Sequence, residues 1–295
     1  MEFMIRALQE SDEEQILEIA RNTWGGHDHL PVMFNEWLRN EDCHTVSFVV
    51  GADIAALGCL RLIDNGKTAW LEGLRVHQKY QGLGLARKVT DFLRQRAIKL
   101  GAERTRLTTA VQSPIPNHLA KSISMRCLYT LNVRWLDLRE LHPMDSSSEA
   151  VSIPFEKFLD IANSRRNFEL VPSGALVYHW YAVDIDHPAI KKLRQLESIE
   201  FWYSVSKDKT IDGIAFGFQR LDGIDQEWCT TIYPTDRESL ISLLSKQAEF
   251  CSLKGITFMM VQFPEQFTTE TENDDLFDSE EGHTITLALY EGTLK

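Results

Sequence analysis

The chain has 295 residues, and its 31 Lys and Arg against 43 Asp and Glu give a formal net charge of −12. Its composition is that of a globular protein, but the acidic balance disfavours nucleic-acid binding, which needs a basic surface stripe. No apolar run is long enough to span a membrane. We therefore expect neither nucleic acid nor a membrane among its partners, and the sequence contains no signal for oligomeric state.

The cysteines are odd in number, scattered and without CxxC spacing. They are Cys43, Cys59, Cys127, Cys229 and Cys251. This pattern predicts reduced, mostly buried thiols in a cytosolic or nuclear protein, without a disulfide framework and without a metal site. Residues 1–6 run into an acidic stretch with no apolar segment between them. We therefore expect no secretory signal and a cytoplasmic location.

The first part of the chain alternates helical and extended patterns. Ser11–Glu14 predicts a capping box before a first helix, and Pro31 predicts the start of a second. Asp64–Gly66 predicts a hairpin turn between two of the strands that follow. These strands are predicted at residues 46–50, 54–63 and 69–76.

A long helix is predicted from about residue 85 to residue 100, with an apolar stripe along one face and Gly101 at its end. Residues 104–110 predict another strand, and residues 117–127 predict a helix that Asn117 caps. The order of elements is then α-α-β-β-β-α-β-α. Such an order indicates a mixed α/β fold.

The second half of the chain repeats part of this order, with little identity of residues. Thr235–Glu238 predicts a capping box at the start of a helix that ends at Gly255. Strands are predicted at 201–206, 211–221, 228–232, 256–263 and 284–290. We infer a repeated fold unit.

A Ser-rich segment between the two halves, Pro143–Glu149, predicts a linker. The predicted domains are therefore residues 1–142 and residues 151–295, joined by residues 143–150. The acidic stretch 270–281 is poor in apolar residues and predicts a solvated loop, with a binding role as the alternative.

The strongest local signal is a turn with two glycines between the strand at 69–76 and the long helix. Its sequence is Gln81-Gly82-Leu83-Gly84-Leu85-Ala86. The first amides of a helix have no partner within it and lie at the positive end of the helix dipole, so they favour a phosphate. Glycines let the phosphate approach the backbone. By itself, such a turn is also typical of a tight strand-to-helix connection, and neither a P-loop nor a Rossmann fingerprint is present.

Gln81-x-x-Gly84-x-Ala86, after a strand that ends in Leu74-Arg75-Val76, resembles the Q/R-x-x-G-x-G/A signature of the GNAT acetyltransferase superfamily. The order of elements agrees with that superfamily over about residues 1–140. The resemblance implies a GNAT mixed-sheet fold and acetyl-CoA as co-substrate. It further implies that the amides of the turn hold the pyrophosphate, and that the backbone of the preceding strand, which splays from its neighbour, pairs with the pantetheine arm.

The cofactor-binding residues that this resemblance implies are Leu74, Arg75, Val76, Gln81, Gly82, Leu83, Gly84, Leu85, Ala86 and Asn117. Asn117 would contact the pantetheine arm, with a plain helix cap as the alternative. Arg75 and Lys79 would assist phosphate binding, with solvated charges as the alternative. The matching turn of the second half, Tyr233–Glu238, has no glycine and offers two carboxylates, so we expect no CoA there.

A narrower resemblance connects Gly25–Pro31 and Glu72–Val76 with the vertebrate histidine N-acetyltransferases, which carry similar segments. These relatives also have a second, degenerate GNAT-like lobe, which the repeat in this chain would match. The resemblance implies an enzyme that acetylates the α-amine of a free amino acid, with L-histidine as the acceptor. The alternatives are another small amine, a protein N-terminus, or a CoA-binding sensor without turnover.

Glu72 is the candidate catalytic base, because the amine must lose a proton before it attacks a thioester. It precedes Leu74 by two residues and therefore lies on the same side of the strand. It would act as the base or as a counter-charge for the ammonium group. The alternative is a structural glutamate that faces solvent or pairs with an arginine.

The loop before the second helix contains the candidate substrate-binding residues His27, Asp28 and His29. Superfamily members often build the acceptor pocket there, and the alternative is an Asx turn with exposed histidines. The tyrosine that many of these enzymes use as general acid would fall at Ser124, where this sequence departs from the pattern. Tyr129 is the candidate substitute, and a structural tyrosine is the alternative.

Overall fold

The computed structural model describes residues 3–21, 23, 28–141, 146–164, 170–186, 188–222, 225–267 and 284–294. The chain divides into two compact units. Unit 1 consists of Met1–Leu107, His118–Arg126 and Tyr290–Lys295, and unit 2 of Thr108–Asn117 and Cys127–Leu289. The units therefore interleave along the chain.

The N-terminal part of the chain supplies the elements of unit 1. Its strands are β1 (Met4–Arg6), β2 (Cys43–Val50), β3 (Asp53–Ile63), β4 (Thr68–Val76) and the start of β5 (Arg104–Ala110). Its helices are α1 (Glu13–Arg21), α2 (Leu30–Arg39), α3 (Leu85–Lys99) and the end of α4 (Pro114–Ser122).

The strands of unit 1 form a sheet in the order β1-β2-β3-β4-β5. All neighbours are antiparallel except β4 and β5, which are parallel and joined through α3. Neighbouring residues of β2 belong to different apolar clusters: Phe48 packs with α3, and Val49 packs with α1 and α2. Because side chains alternate across a strand, α3 covers one face of the sheet and the two N-terminal helices cover the other.

The C-terminal end of the chain also belongs to unit 1. The Leu294 amide donates to the carbonyl of Glu103 at 2.9 Å, and the Thr105 hydroxyl donates to the carbonyl of Gly292 at 3.3 Å. The buried Arg106 guanidinium donates twice to Glu291 Oε2, at 3.0 and 2.7 Å. These contacts join residues that lie far apart in the sequence, so a local sequence pattern does not predict them.

The remaining elements belong to unit 2, apart from Arg126 and the last residues of β14. They are β6 (Arg126–Asp137), β7 (Glu149–Ile153), α5 (Phe155–Asn163), β8 (Ala175–Tyr178), β9 (Tyr181–Asp184), β10 (Glu200–Val205), β11 (Ile211–Asp222), β12 (Asp225–Pro234), α6 (Arg237–Lys254), β13 (Phe258–Pro264) and β14 (Ile285–Thr293).

Unit 2 repeats the arrangement of unit 1. Its sheet runs β6-β13-β12-β11-β10-β7, and β12 and β13 are its parallel pair, joined through α6. Leu240, Leu243 and Leu244 of α6 pack on Trp202 and Trp228 of the sheet. The unit β11-β12-α6-β13 therefore has the same order as β3-β4-α3-β5, and the repeat predicted from the sequence is confirmed at the level of secondary structure.

Three predicted helix starts are wrong. The Asp12 carboxylate accepts a bond from the Gln9 amide at 2.8 Å and is bound by Arg6, so a short turn precedes α1 and the predicted box at Ser11–Glu14 does not form. Asp236, rather than Thr235, caps α6 by accepting from the Ser239 amide at 2.8 Å.

The third wrong start is that of α4, which begins at Pro114, so that Asn117 lies inside the helix. The helix ends at Ser122, and residues 126–137, which the sequence pattern left partly within a helix, form β6. Pro114 fixes a backbone angle that suits the first turn of a helix, which explains the earlier start.

The predicted linker is ordered where the structure describes it. The Ser146 hydroxyl donates to the Glu238 carbonyl at 2.8 Å, and the Ser147 amide donates to the Glu238 carboxylate at 2.6 Å. Glu149 and Ala150 already belong to β7, which pairs with β10. The predicted domain ranges therefore remain a prediction, and the acidic stretch 270–281 lies outside the described residues. Within the described part of the chain, no helix has the length and apolarity needed to cross a membrane.

A bulge at Gly73 interrupts β4 where the strand approaches α2. The register between β3 and β4 shifts there, from Cys59 opposite Glu72 to Leu57 opposite Arg75. Gly73 has φ +64°, in the left-handed region that favours glycine. A Cβ at this position would lie 2.0 Å from the ring of Trp37. The absent side chain therefore lets the indole lie against the strand.

We expect Gly73→Ala to lower the free energy of unfolding by about 3 kcal/mol, from the clash with Trp37 and the left-handed backbone together. Gly51 has φ +62° and no atom within 4 Å of an added Cβ, so Gly51→Ala is the matched control. It should lose only about 1 kcal/mol, from the backbone alone. Urea unfolding measures both, and equal losses would contradict close packing at Gly73.

Candidate active site

Glu72 lies on β4 beside the Gly73 bulge, and its carboxylate is nearly buried, with 6% of the side chain exposed. The indole Nε1 of Trp37 donates to Glu72 Oε1 at 2.8 Å. Arg61 Nε donates to the same oxygen at 3.1 Å. Two donors from two different elements therefore fix the orientation of this carboxylate.

Arg61 joins Glu72 to a second carboxylate. Its Nη1 binds Glu36 of α2, whose side chain is half exposed. The guanidinium is thus shared between a buried and an exposed acid, and it stabilises the negative charge of the buried one. The pairing with an arginine is part of the structural alternative for Glu72, and the catalytic role stays a prediction.

Two thiols lie beside Glu72. Cys59 of β3 is directly opposite Glu72, and Cys43 lies on the neighbouring strand β2. The two sulfurs and a carboxylate oxygen of Glu72 all lie within 4.8 Å of one another. Burial raises the pKa of Cys59, which is fully buried, and the bond from its thiol lowers the pKa of the half-buried Cys43.

Asp28 is fully buried at the side chain and holds Arg75. Its oxygens accept from Arg75 Nε and Nη2, both at 2.8 Å, and Oδ1 also accepts from the Leu30 amide at 3.0 Å. The carboxylate therefore caps α2 and ties it to β4. These three bonds place Asp28 where it positions Arg75.

The two candidate histidines differ in what the structure describes. His29 is exposed and precedes the first residue of α2. Its carbonyl accepts from the amides of Val32 and Met33, both at 3.1 Å. His27 lies outside the described residues.

The glycine turn ends in a helix start without a capping side chain. Gly84 is the N-cap of α3, with φ +70°, and neither a side-chain cap nor an acidic residue is found in its first turn. An added Cβ at Gly82 or at Gly84 would meet no atom within 4 Å. The open space and the uncapped amides together make a cradle for an anion.

Two cations stand in the first turn of α3, Arg87 and Lys88. Cations at a helix N-terminus oppose the helix dipole by roughly 0.3–1 kcal/mol each. Arg87 bonds Asp91 of the same helix at 2.9 Å, and the Lys88 ammonium lies 4.9 Å from the ring centre of Phe3. A bound anion would offset this unfavourable interaction between the two cations and the helix dipole.

Strand β4 extends past its pairing with β5. Thr68–Trp70 pair with Arg104–Arg106, whereas β4 continues to Val76. Leu74 and Val76 thus lie beyond the paired segment, on a strand whose other edge is held by β3. The Leu74 carbonyl accepts from Arg75 Nη1 at 2.9 Å, and an extended ligand can pair with strand-edge backbone groups that have no such partner.

Residues 9–121 match the model of the acetyltransferase (GNAT) family. The match is confined to this part of the chain. It contains the glycine turn, Glu72, Asp28 and Arg75, so the motif and the family model identify the same region.

Curated relatives of the chain include two histidine N-acetyltransferases. The protein from Xenopus tropicalis is 34% identical over 91 residues, which cover 31% of this chain and 28% of the relative. The protein from Scomber australasicus is 32% identical over 83 residues, which cover 28% of this chain and 25% of the relative. The matched segment therefore spans about a quarter of each relative's length.

Solved structures match the chain over nearly its whole length. A GCN5-related N-acetyltransferase from Sphaerobacter thermophilus has a TM-score of 0.63 at 13% identity, covering 99% of this chain and 96% of its own. The tandem GNAT protein from the clavulanic acid biosynthesis pathway has a TM-score of 0.60 at 12% identity, covering 100% and 99%. These matches show the mixed-sheet GNAT fold, and the tandem protein supports two GNAT-like lobes.

Asn117 and Tyr129 belong to unit 2, whereas Glu72 belongs to unit 1. The Asn117 amide donates to the carbonyls of Ala110 and Ser113, at 2.8 and 2.6 Å, so it closes the turn before α4 instead of capping the helix. The Tyr129 hydroxyl donates to the Ala175 carbonyl and lies 3.2 Å from the Tyr233 hydroxyl. Burial raises the pKa of Tyr233.

Sequence reasoning missed Trp37, Arg61 and Glu36 as parts of the site. One signal was present: the predicted turn Asp64–Gly66 sets the hairpin register that places Cys59 opposite Glu72 and Arg61 two residues further along β3. Which face α2 covers is a tertiary fact, and no spacing in the sequence encodes the bond from Trp37.

We expect Asp28→Asn to cost about 3 kcal/mol of stability, because it leaves the largely buried Arg75 without its carboxylate partner. Asp91→Asn is the matched control, since it removes an exposed (i, i+4) pair with Arg87 and should cost below about 0.5 kcal/mol. Chemical unfolding of both variants measures the difference. A loss at Asp28 as small as that at Asp91 would contradict the positioning role.

Proposed function

We propose that the chain is an acetyl-CoA-dependent N-acetyltransferase whose acceptor is the α-amine of a free amino acid, most specifically L-histidine. The observation that carries the proposal is the uncapped start of α3 at Gly82 and Gly84, within a GNAT domain. Its family uses acetyl-CoA, which supplies the acetyl group as a thioester.

In this proposal the backbone amides of residues 81–86 bind the pyrophosphate, and Gly82 and Gly84 leave room for its oxygens. Leu74 and Val76 offer the backbone of β4 to the pantetheine arm, since the strand extends past β5. Arg75 is held by Asp28 at the end of this strand and adds positive charge there. Lys79 pairs with Asp53 at 2.7 Å, which supports its reading as a surface charge.

Glu72 is the proposed base, acting directly or through water. Its orientation is held by Trp37 and Arg61, and it lies two residues before Leu74 on the strand that would carry the acetyl group. An ionised carboxylate at this point attracts the ammonium form of the acceptor and then takes its proton. Asn117 and Tyr129 remain predicted contacts to the pantetheine arm and to the leaving thiol.

Histidine as the acceptor is supported by the relatives named histidine N-acetyltransferase and by the segment around Asp28. His27 and His29 remain candidate contacts of the acceptor. The competing functions are acetylation of another small amine or a protein N-terminus, and CoA binding without turnover.

Binding of CoA is tested by Gly84→Asp, which should weaken CoA affinity at least about tenfold because it puts a carboxylate at the proposed phosphate cradle. An aspartate at this left-handed position costs about 1 kcal/mol, so the fold should persist. Gly101→Asp is the matched control, because Gly101 follows the other end of α3 with φ +85° and equal open space. Calorimetry measures both, and equal affinities would contradict the assignment.

Turnover is tested by incubating the protein with acetyl-CoA and each of the twenty amino acids, with polyamines and peptides beside them, and identifying products by mass spectrometry. We expect N-acetylhistidine as the main product. A different main product would replace the acceptor, and CoA binding without any product would favour the sensor.

For whichever amine reacts, Glu72→Gln should lower kcat/KM by about 10²–10⁴-fold, the usual contribution of a general base. The deficit should shrink as pH rises, because more of the amine is then already neutral. Glu36→Gln, which alters the exposed partner of the same Arg61, is the control. A Glu72→Gln enzyme with unchanged turnover would refute the base.

A further inference from the structure

Three side chains with metal-binding atoms face the same side of the strands β2, β3 and β4. They are Cys43, Cys59 and Glu72, and their sulfurs and a carboxylate oxygen lie within 4.8 Å of one another. The site is empty. We propose that it binds a thiophilic divalent cation such as Zn²⁺, and that bound cation inhibits the enzyme by occupying Glu72.

The ligand set matches the chemistry of zinc. Zinc prefers thiolate, imidazole and carboxylate ligands, with Zn–S distances of about 2.3 Å. In a tetrahedral site the two sulfurs would then be roughly 3.7 Å apart, so side-chain movements of about 1 Å close the cluster. Three protein ligands leave a fourth position open for water.

The cluster is both sheltered and accessible. Cys59 is fully buried and Cys43 is half-buried, so a cation can enter past Cys43 and reach the inner thiol. The strand register fixes Cys59 directly opposite Glu72, and Cys43 pairs with Arg61 of β3, so all three ligands are held by paired backbone. Such pre-positioning reduces the entropy that ligand ordering would cost.

The local charge also suits a divalent ion. Two thiolates and Glu72 carry three negative charges, and Arg61 carries one positive charge, so a divalent cation neutralises the cluster. The two thiol protons pass to solvent on binding. When the metal draws Glu72 away from the guanidinium of Arg61, Glu36 continues to bind it. Arg61 therefore keeps one carboxylate partner.

Inhibition follows from the same geometry and rests on the proposed function. A carboxylate that ligates a metal cannot accept the proton of the amine. Metal binding and acetyl transfer should therefore exclude one another, although binding itself is measurable whether or not the chain has turnover.

The binding experiment uses the full-length protein, reduced with a phosphine and freed of metal by a chelator, and titrates it with Cd²⁺ as the probe. We expect an ultraviolet thiolate-to-cadmium absorption that saturates at about one Cd²⁺ per chain. Cys43→Ser and Glu72→Gln should each weaken binding at least about tenfold, and Cys59→Ala should do the same if it melts like the parent.

The matched controls are Cys127→Ser, an exposed thiol on β6 in unit 2, and Cys251→Ala, a buried thiol on α6. Both should keep the parent affinity. Absence of the absorption, or its persistence in Cys43→Ser, would overturn the site.

The activity arm compares Zn²⁺ inhibition of the parent with that of Cys43→Ser, each relative to its own metal-free rate. The parent should be inhibited at concentrations at least about tenfold lower. Equal inhibition would overturn the inhibitory role. A Cd²⁺ signal in a protein without acetyl transfer to any amine would leave the metal site standing and refute the proposed function instead.

Discussion

The left-handed backbone at Gly73 is the constraint on which the site depends. It lets the Trp37 ring lie where a Cβ would be, and Trp37 then fixes Glu72 by a hydrogen bond of 2.8 Å. The same residue shifts the register between β3 and β4. The packing of Trp37, its hydrogen bond to Glu72 and the register shift of β4 therefore all depend on the missing side chain at Gly73. Helix α2 is as much a part of the site as β4.

The same supersecondary unit occurs in both halves of the chain, but the residue that caps its helix differs between them. In α3 the N-cap is Gly84, which has no side chain to offer the first amides, whereas in α6 Asp236 accepts from the Ser239 amide at 2.8 Å. A helix whose amides are satisfied by its own carboxylate has little left for a phosphate, and that carboxylate repels one. The repeated fold thus carries one anion cradle in its described residues, in the first half.

Periodicity predicted the strands and the long helices well, because the apolar stripes of α3 and of β2 to β4 are local properties of the sequence. It failed where distant residues decide the structure. The end of β14 belongs to unit 1 through Arg106 and Glu291, which no local pattern connects. The Asp12 carboxylate binds Arg6, so α1 starts later than the capping motif predicted. The glycine turn was predictable because a motif encodes it. The bonds to Glu72 come from two other elements, α2 and β3, and were not predictable.

A carboxylate that works as a base must be ionised, oriented and shielded, and these conditions also make it a good metal ligand. In this protein Glu72 has neighbours that suit both roles. Arg61 and Trp37 hold the carboxylate by hydrogen bonds, and the sulfur atoms of Cys43 and Cys59 lie beside it. Arg61 raises the cost of a cation at this point, because its positive charge must be tolerated there. In the proposed site the charge of Arg61 opposes a divalent metal more strongly than it opposes the singly charged ammonium form of the amine.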